Sequence, residues 1–304
     1  MKAKVAVFGA YTIGMTIQCE KFPVGGETVP GHNFQMLHGG KGSNQAVAAS
    51  RMGAEVLFGT CVGNDSFGDM CMQLYEQEQM DSSHIIRSRK GNPTGCAPVI
   101  VDAKGENEIV IQQDDAKEYS AADVDELLEE LKECQVCLMP LEMTVETALH
   151  IARRCRELGV KFILNPAPYA KLPEELYGLC DYITPNQTEA RQMAGEPADS
   201  PMPDEEIGKK IRRLGVKHVV MTLGNGGALC VTEEGTKVIP GVRVDAVDTT
   251  GAGDTFSGSF AVAIAEGKSL EEAIHFANAA AALSVTKYGV IEAIPRREET
   301  EKML

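Results

Sequence analysis

The sequence predicts an α/β fold in which a mostly parallel central sheet is flanked by helices and accompanied by a small β lid. Short apolar runs alternate with longer segments of helical period, several of those segments stop at a glycine, and two stretches break the alternation. The runs are residues 5–8, 56–61, 136–138, 162–164, 182–184 and 219–223. Strands of that length, spaced by helices, form βαβ units on a parallel sheet. Arg51-Met52-Gly53, Glu157-Leu158-Gly159, Arg213-Leu214-Gly215 and Glu266-Gly267 each put glycine where a left-handed C-cap ends a helix. The interruptions are residues 18–37 and 92–113; in the second, residues 97–101 and 108–111 flank the turn Asp102-Ala103-Lys104-Gly105. Both read as hairpins or extended strands forming a flap, and surface excursions without a role are the plainer alternative. The expected organisation is one domain over residues 1–304 with lid strands inserted at about 15–37 and 92–113. Residues 196–206, rich in Pro and acids, read as a surface loop leading into a helix.

Composition narrows the function. With 304 residues, 43% hydrophobic and 24% charged, the chain can bury a large core. A net charge of -15 and pI near 4.9 argue against a nucleic-acid partner, whose phosphates need Lys and Arg. The absence of Trp, with 5% aromatics, removes stacking platforms for single strands. Nine cysteines, an odd number without a framework, point to a reducing compartment, and the expected location is the cytoplasm. Met-Lys-Ala-Lys-Val-Ala-Val-Phe-Gly reads as a strand rather than a signal peptide, and no apolar run is long enough to span a membrane. The expected partner is a small molecule.

The chemistry concentrates in Asp248-Thr249-Thr250-Gly251-Ala252-Gly253-Asp254-Thr255-Phe256-Ser257-Gly258. A helix is expected after Gly253, with Phe256, Phe260 and Ile264 as its apolar stripe. A Gly-Ala-Gly turn opening onto a helix offers free N–H groups at the positive end of the helix dipole, which is an anion site. Asp254 beside it is explained equally well as a helix cap. Phosphoryl transfer, however, needs a carboxylate to take a hydroxyl proton and backbone donors to hold phosphoryl oxygens, and this one segment supplies both.

Together with Gly39-Gly40-Lys41-Gly42-Ser43-Asn44-Gln45-Ala46, this segment resembles the signatures of the ribokinase (PfkB-type) carbohydrate kinases, ribokinases in particular. The resemblance continues through Pro23-Val24-Gly25-Gly26-Glu27-Thr28, Leu141-Glu142, Leu164-Asn165-Pro166-Ala167-Pro168, Thr184-Pro185-Asn186-Gln187-Thr188-Glu189 and Thr222-Leu223-Gly224-Asn225-Gly226-Gly227. It implies a ribokinase-like three-layer α/β/α fold and an ATP-dependent kinase acting on a hydroxyl, in the first instance a primary alcohol, of a small sugar-like substrate. A nucleoside or sugar-acid kinase of the same family is the alternative.

By motif, Asp254 is the implied general base and Gly251, Ala252 and Gly253 the anion hole. Thr12, Gly14, Gly39, Gly40, Lys41, Asn44 and Glu142 fall on the acceptor side, and Asn186, Thr222, Gly224, Gly227 and Asn278 on the ATP side. Asn186 and Glu189 match the pair that organises Mg2+ through water, as suits a cation that keeps its hydration. A monovalent cation, K+, is implied at Asp248, Thr250, Ser284, Lys287 and Gly289, with Ala293 where relatives often carry serine. Ribokinases carry Asn and Asp where this chain has Thr12 and Gly14, so ribose loses a carboxylate partner here. The family also implies a homodimer paired through the lids.

Plainer readings stand beside these. Thr184-Pro185-Asn186-Gln187 is a helix start with Pro at N1, and residues 39–42 fit an ordinary loop. Lys41 is no Walker lysine, because glycine follows it. Arg87, Arg89 and Lys90 read as a solvated face unless they fold inward onto a phosphate, and Cys134-Gln135-Val136-Cys137 lacks a second pair for zinc. Residues 9–14 lack the central glycine of a dinucleotide fingerprint, which disfavours a dehydrogenase. A non-catalytic sugar or nucleotide sensor would have no need of Asp254 and its glycines.

Overall fold

The computed structural model of the protein describes residues 2–304. Its strands are β1 (Lys4–Phe8), β2 (Thr12–Cys19), β3 (Gly31–Gly39), β4 (Glu55–Val62), β5 (Ile85–Arg87), β6 (Gly95–Val101), β7 (Asn107–Ile109), β8 (Val136–Pro140), β9 (Lys161–Asn165), β10 (Tyr182–Ile183), β11 (His218–Thr222), β12 (Ala228–Val231) and β13 (Thr236–Ile239). Its α-helices are α1 (Lys41–Arg51), α2 (Ser66–Gln77), α3 (Ala121–Asp125), α4 (Leu128–Glu133), α5 (Val145–Leu158), α6 (Glu174–Leu179), α7 (Gln187–Met193), α8 (Asp204–Arg213), α9 (Ala252–Ala265), α10 (Leu270–Ser284) and α11 (Arg297–Glu301).

Among the described residues the main sheet has the order β13-β12-β11-β10-β9-β8-β1-β4-β5. From β5 to β11 neighbouring strands run parallel; β12 and β13 turn back antiparallel. Side chains alternate across the sheet, so β1 sends Val5 and Val7 into one apolar cluster and Ala6 and Phe8 into another. The first cluster takes Val47 of α1, Leu74 of α2, Phe260 of α9 and Ile274 of α10. The second takes Leu131 of α4, Ile151 of α5, Leu176 of α6 and Ile211 of α8. Burial of each such side chain stabilises by about 1.5–3 kcal/mol, and the two clusters make the three layers read from the sequence.

The four glycines expected at helix ends all have positive φ: Gly53 100°, Gly159 75°, Gly215 118° and Gly267 79°. Two helix starts differ from expectation. The carbonyl oxygen of Leu164 still holds the amide of Thr184 at 2.9 Å, so the strand path runs on and α7 is capped by Asn186, not Thr184. Helix α9 begins at Ala252 with Gly251 as its N-cap, and residues 254–264 are all buried, not one stripe. It packs on β1 and β8 of the sheet and against its neighbours α1 and α10.

A second sheet, of order β3-β2-β6-β7, forms the lid. It starts at Thr12, before the expected position, because Thr12 already pairs with Gly39 and Gly95. Gly40 leads from β3 into α1 at φ 90°, and a Cβ there would lie 2.5 Å from the Ala10 carbonyl oxygen. A Cβ on Gly42 would come equally close, 2.5 Å, to Gly9 Cα. The glycines of this loop therefore let α1 start against the end of β1.

Among the described residues no helix is long and apolar enough to cross a membrane. All nine cysteines are free, with Cys134 and Cys137 buried.

Helices α1 and α9 touch at Gly258, where an added Cβ would meet the Gln45 carbonyl oxygen at 2.6 Å and Ala48 Cβ at 2.7 Å. Gly258→Ala is expected to push the helices apart and destabilise the protein by about 1–3 kcal/mol in urea unfolding. Unchanged stability would show that the contact yields freely.

Candidate active site

The candidate residues gather at the carboxyl ends of the parallel strands. Ala10 follows β1, Glu142 follows β8, Asn165 ends β9, Asn186 follows β10 and Thr222 ends β11. The chain runs from β1 out to β4 and β5, then returns to β8 on the other side of β1, and crevices form at such switch points. The N-termini of α1, α7 and α9 point into the same region.

Asp254 sits in the first turn of α9 and is 6% exposed. Its Oδ2 accepts from Asn44 Nδ2 at 2.9 Å and its Oδ1 from Gln45 Nε2 at 3.0 Å. Gln45 Nε2 also donates to Asn165 Oδ1 at 3.0 Å, and Asn165 Nδ2 donates to the Thr184 carbonyl at 2.8 Å. The carboxylate is thus aimed by two amides from α1, with lone pairs to spare for a further donor. Asn44 Oδ1 is buried without a partner among the described residues.

Beside Asp254 the N–H groups of Gly251, Gly253 and Asp254 find no backbone acceptor among the described residues, while Ala252 N–H points to the Thr249 carbonyl at 3.3 Å. This redistributes the expected anion hole: Asp254's own amide is free and that of Ala252 is shared. A Cβ on Gly253 would meet open space. Free amides at the positive end of a helix suit an oxyanion.

Glu142 is 5% exposed and holds the start of α1 against the residue after β1. Its Oε2 accepts from the amides of Ala10 at 2.9 Å and Gly42 at 2.8 Å, and its Oε1 from Lys41 N at 2.9 Å and Gln113 Nε2 at 3.1 Å. Burial pushes its carboxyl above the ordinary range against the pull of these amides. Gln113 Nε2 donates also to Thr12 Oγ1 at 2.9 Å, tying the lid to the main sheet. Lys41 lies in the midst of three acids, and its ammonium is held above its usual value chiefly by Asp254, against desolvation.

Gly14 shares the lid face of Thr12, two residues before it, and is flanked across the strands by Leu37 and Ala97. A Cβ at Gly14 would meet only the Leu37 carbonyl, at 3.7 Å. This face of the lid is therefore apolar, with open space over Gly14.

On the other side of α9 lies a cleft of about 1030 Å³ whose lining includes Asn186, Thr222, Gly224, Gly227, Gly253 and Asn278. That volume accommodates a nucleotide. Gly227 has φ 94°, and a Cβ there would fall 2.2 Å from the Ile239 carbonyl oxygen, so only glycine keeps this wall of the cleft. Asn278 spends its Nδ2 on the carbonyls of Ile239, 3.3 Å, and Pro240, 3.1 Å.

Asn186 and Glu189 form a reciprocal capping box: Asn186 Oδ1 accepts from Glu189 N at 2.8 Å and Glu189 Oε2 from Asn186 N at 2.9 Å. Among the described residues Glu189 Oε1 makes no hydrogen bond, and burial raises this carboxyl, opposed by the Asn186 amide and Lys41. A hydrated divalent cation fits such a group, since one carboxylate oxygen is left for a bound water.

The turn at residues 248–251 meets the loop at residues 285–290. Asp248 Oδ1 accepts from Thr250 N at 3.0 Å and its Oδ2 from Gly289 N at 3.3 Å, while Val285 O accepts from Val247 and Asp248. The carbonyl oxygens of Thr250, Lys287 and Gly289 take no backbone hydrogen bond among the described residues. An all-oxygen set of carbonyls beside one carboxylate fits a monovalent cation. Ser284 ends α10 at the root of this loop.

The cations before the lid stay away from the site. Arg87 binds the Gly63 carbonyl and Asp69, and Arg89 pairs with Asp123, as the solvated-face reading has it. Sequence reasoning missed Gln45, Asn165 and Gln113. Gln45 lies inside the glycine-loop signature at the start of α1 and Asn165 inside the stretch of residues 164–168, but neither motif points to these bonds; Gln113 gives no signal.

Comparison with known proteins bears on the family. Residues 2–297 match the pfkB family carbohydrate kinase profile. The ribokinase of Haemophilus influenzae is 38% identical over 304 residues, 100% of this chain and 99% of the relative, and the deoxyribokinase of Salmonella typhi is 33% identical, 99% and 98% covered. Among solved structures, Thermotoga maritima ribokinase is 35% identical with TM-score 0.88, covering 100% of this chain and 99% of that one. Arabidopsis thaliana ribokinase complexed with ribose and ATP is 30% identical with TM-score 0.93 and the same coverage, 100% and 99%. With a family profile over nearly its whole length and such relatives end to end, the chain belongs to the pfkB family of carbohydrate kinases.

Proposed function

We propose that the protein is an ATP-dependent sugar kinase in which Asp254 deprotonates the acceptor hydroxyl. The observation that carries this is the placement of one buried carboxylate, aimed by Asn44 and Gln45, beside free amides that border a nucleotide-sized cleft. The relatives named as ribokinases, and the neighbour solved with ribose and ATP, support the same reading. The acceptor oxygen attacks the γ-phosphorus as the bond to the β–γ bridging oxygen breaks. ADP leaves, and Asp254 takes the hydroxyl proton. The amides of Gly251, Gly253 and Asp254 hold the phosphoryl charge. Lys41 adds a fixed positive charge between the two substrates.

Asn186 and Glu189 would hold Mg2+ through water, and the metal would neutralise phosphate charge when bound. Asp248 and the carbonyls of Thr250, Ser284, Lys287 and Gly289 would hold K+, firming the turn that carries the free amides.

Within this reading the acceptor differs from ribose. The lid wall at Gly14, Leu37 and Ala97 offers no side-chain acceptor, so it suits a sugar that turns a deoxy position or a bulkier group, such as a nucleoside base, toward the lid. Phe34 and residues 109–111 leave apolar surface on the lid, and we assign it to a second copy of the chain.

Three outcomes follow. In an ADP-release assay Asp254→Asn is expected to lose about 10²- to 10⁴-fold in kcat with the fold intact; full activity in that variant defeats the base assignment. Across pentoses, deoxypentoses and nucleosides the natural protein is expected to disfavour ribose. Gly14→Asp, for which there is room, should shift preference toward ribose about ten- to a hundredfold, one charged hydrogen bond's worth. Ribose as the best acceptor of the natural protein, with no gain in the variant, contradicts this. Light scattering should report a dimer that Phe34→Asp turns into a monomer; a monomeric natural protein removes the lid assignment.

A further inference from the structure

Arg51 ends α1, the helix whose first turns present Asn44 and Gln45 to Asp254. Its side chain is 11% exposed and its partners come from two other segments. Nε and Nη2 donate to Glu78 Oε2 and Oε1 at 3.0 and 2.6 Å, a two-pronged pair. Nη1 donates to the carbonyl oxygens of Ile291 and Ile294, each at 2.7 Å. Glu78 closes α2, and Arg51 is the largest influence holding its carboxyl below the ordinary range.

The carbonyls it grips belong to the loop that follows α10, and the other end of that loop rests on the anion turn. Gly289 N donates to Asp248 Oδ2 at 3.3 Å, and a Cβ on Gly251 would lie 2.5 Å from Val290 Cγ1. Gly251 is the N-cap of α9, with φ 76°. One guanidinium thus connects the helix that aims Asp254 to the loop that backs the amides beside it.

We propose that Arg51 is a positioning residue for phosphoryl transfer: it fixes the loop of residues 285–294 so that Val290 and Asp248 hold the turn of residues 248–253 in register with the acceptor groups on α1. The planar fork is required. A lysine in its place would keep the charge but gathers three donors on one nitrogen, and cannot span the two carboxylate oxygens and two carbonyls that the fork reaches from three nitrogens. The proposal rests on residues 251–254 being the reaction centre, and it can fail while that reading stands.

Arg51→Lys is the test, with ADP release and hydrogen–deuterium exchange measured on the full-length protein. The expected result is a fall in kcat of about 10- to 100-fold, the scale of a displacement of about 1 Å transmitted from outside the chemistry, with acceptor KM changed less than about threefold. Exchange should quicken at residues 248–253 and 285–294 and not in the lid. In Arg51→Ala, guanidinium ion at low concentration should restore part of kcat, since a cleft of about 350 Å³ lined by Arg51, Arg296 and Arg297 leads to the vacated place. A merely structural arginine would lower stability with kcat, exchange at the turn and guanidinium response unaltered, and that outcome overturns the proposal. Should Arg51→Lys not fold, Glu78→Gln loosens the same fork from its other side and carries the exchange and kcat measurements. Full activity of Asp254→Asn would instead overturn the reading of the site on which this rests.

Discussion

The structure depends on a meeting of two helices across the sheet's carboxyl edge. Helix α1 supplies the amides of Asn44 and Gln45, and α9 supplies the carboxylate of Asp254 that accepts from both. Burying a carboxylate is costly unless it is well bonded, and these two donors, with the free end of the α9 dipole, offset that cost. The contact forces small residues wherever the helices approach, at Gly258 on one side and the Ala-rich face of α1 on the other. It also sets Asp254 beside a cleft of nucleotide size, the arrangement on which the proposed transfer rests.

A second carboxylate, Glu142, organises the backbone beside this meeting. Its oxygens accept from the amides of Ala10, Lys41 and Gly42 and from Gln113. It shapes the glycine loop and, through Gln113 and Thr12, ties the lid to the main sheet. The lid wall opposite, at Gly14, contributes space.

What was legible in the sequence was what lies contiguous along it. The turn of residues 251–254 carries its anion site and its carboxylate in one stretch, and the strand runs and helix-ending glycines are local patterns with local causes. Gln45 was not legible as a partner of Asp254, nor Asn165 as a partner of Gln45, although both lie in motif stretches, because these bonds join residues 209 and 120 positions apart. The start of α9 was placed two residues late because the cap falls on Gly251, in a left-handed φ and with no room for a side chain beside Val290, far along the chain. The helix itself is buried all round because α1 and α10 enclose it, and an apolar stripe cannot be told from total burial by periodicity alone. Thr184 failed as a cap for a similar reason: its amide was claimed by Leu164 of the neighbouring strand.

The measurement that bears most directly on the central claim is a crystal structure with a turned-over acceptor and a non-hydrolysable ATP analogue bound together. The account expects the reacting hydroxyl about 2.6–3.2 Å from an Asp254 oxygen, and the terminal phosphate over the amides of Gly251, Gly253 and Asp254. An acceptor hydroxyl held by some other base, with Asp254 bonded to Asn44 and Gln45 alone, would contradict it.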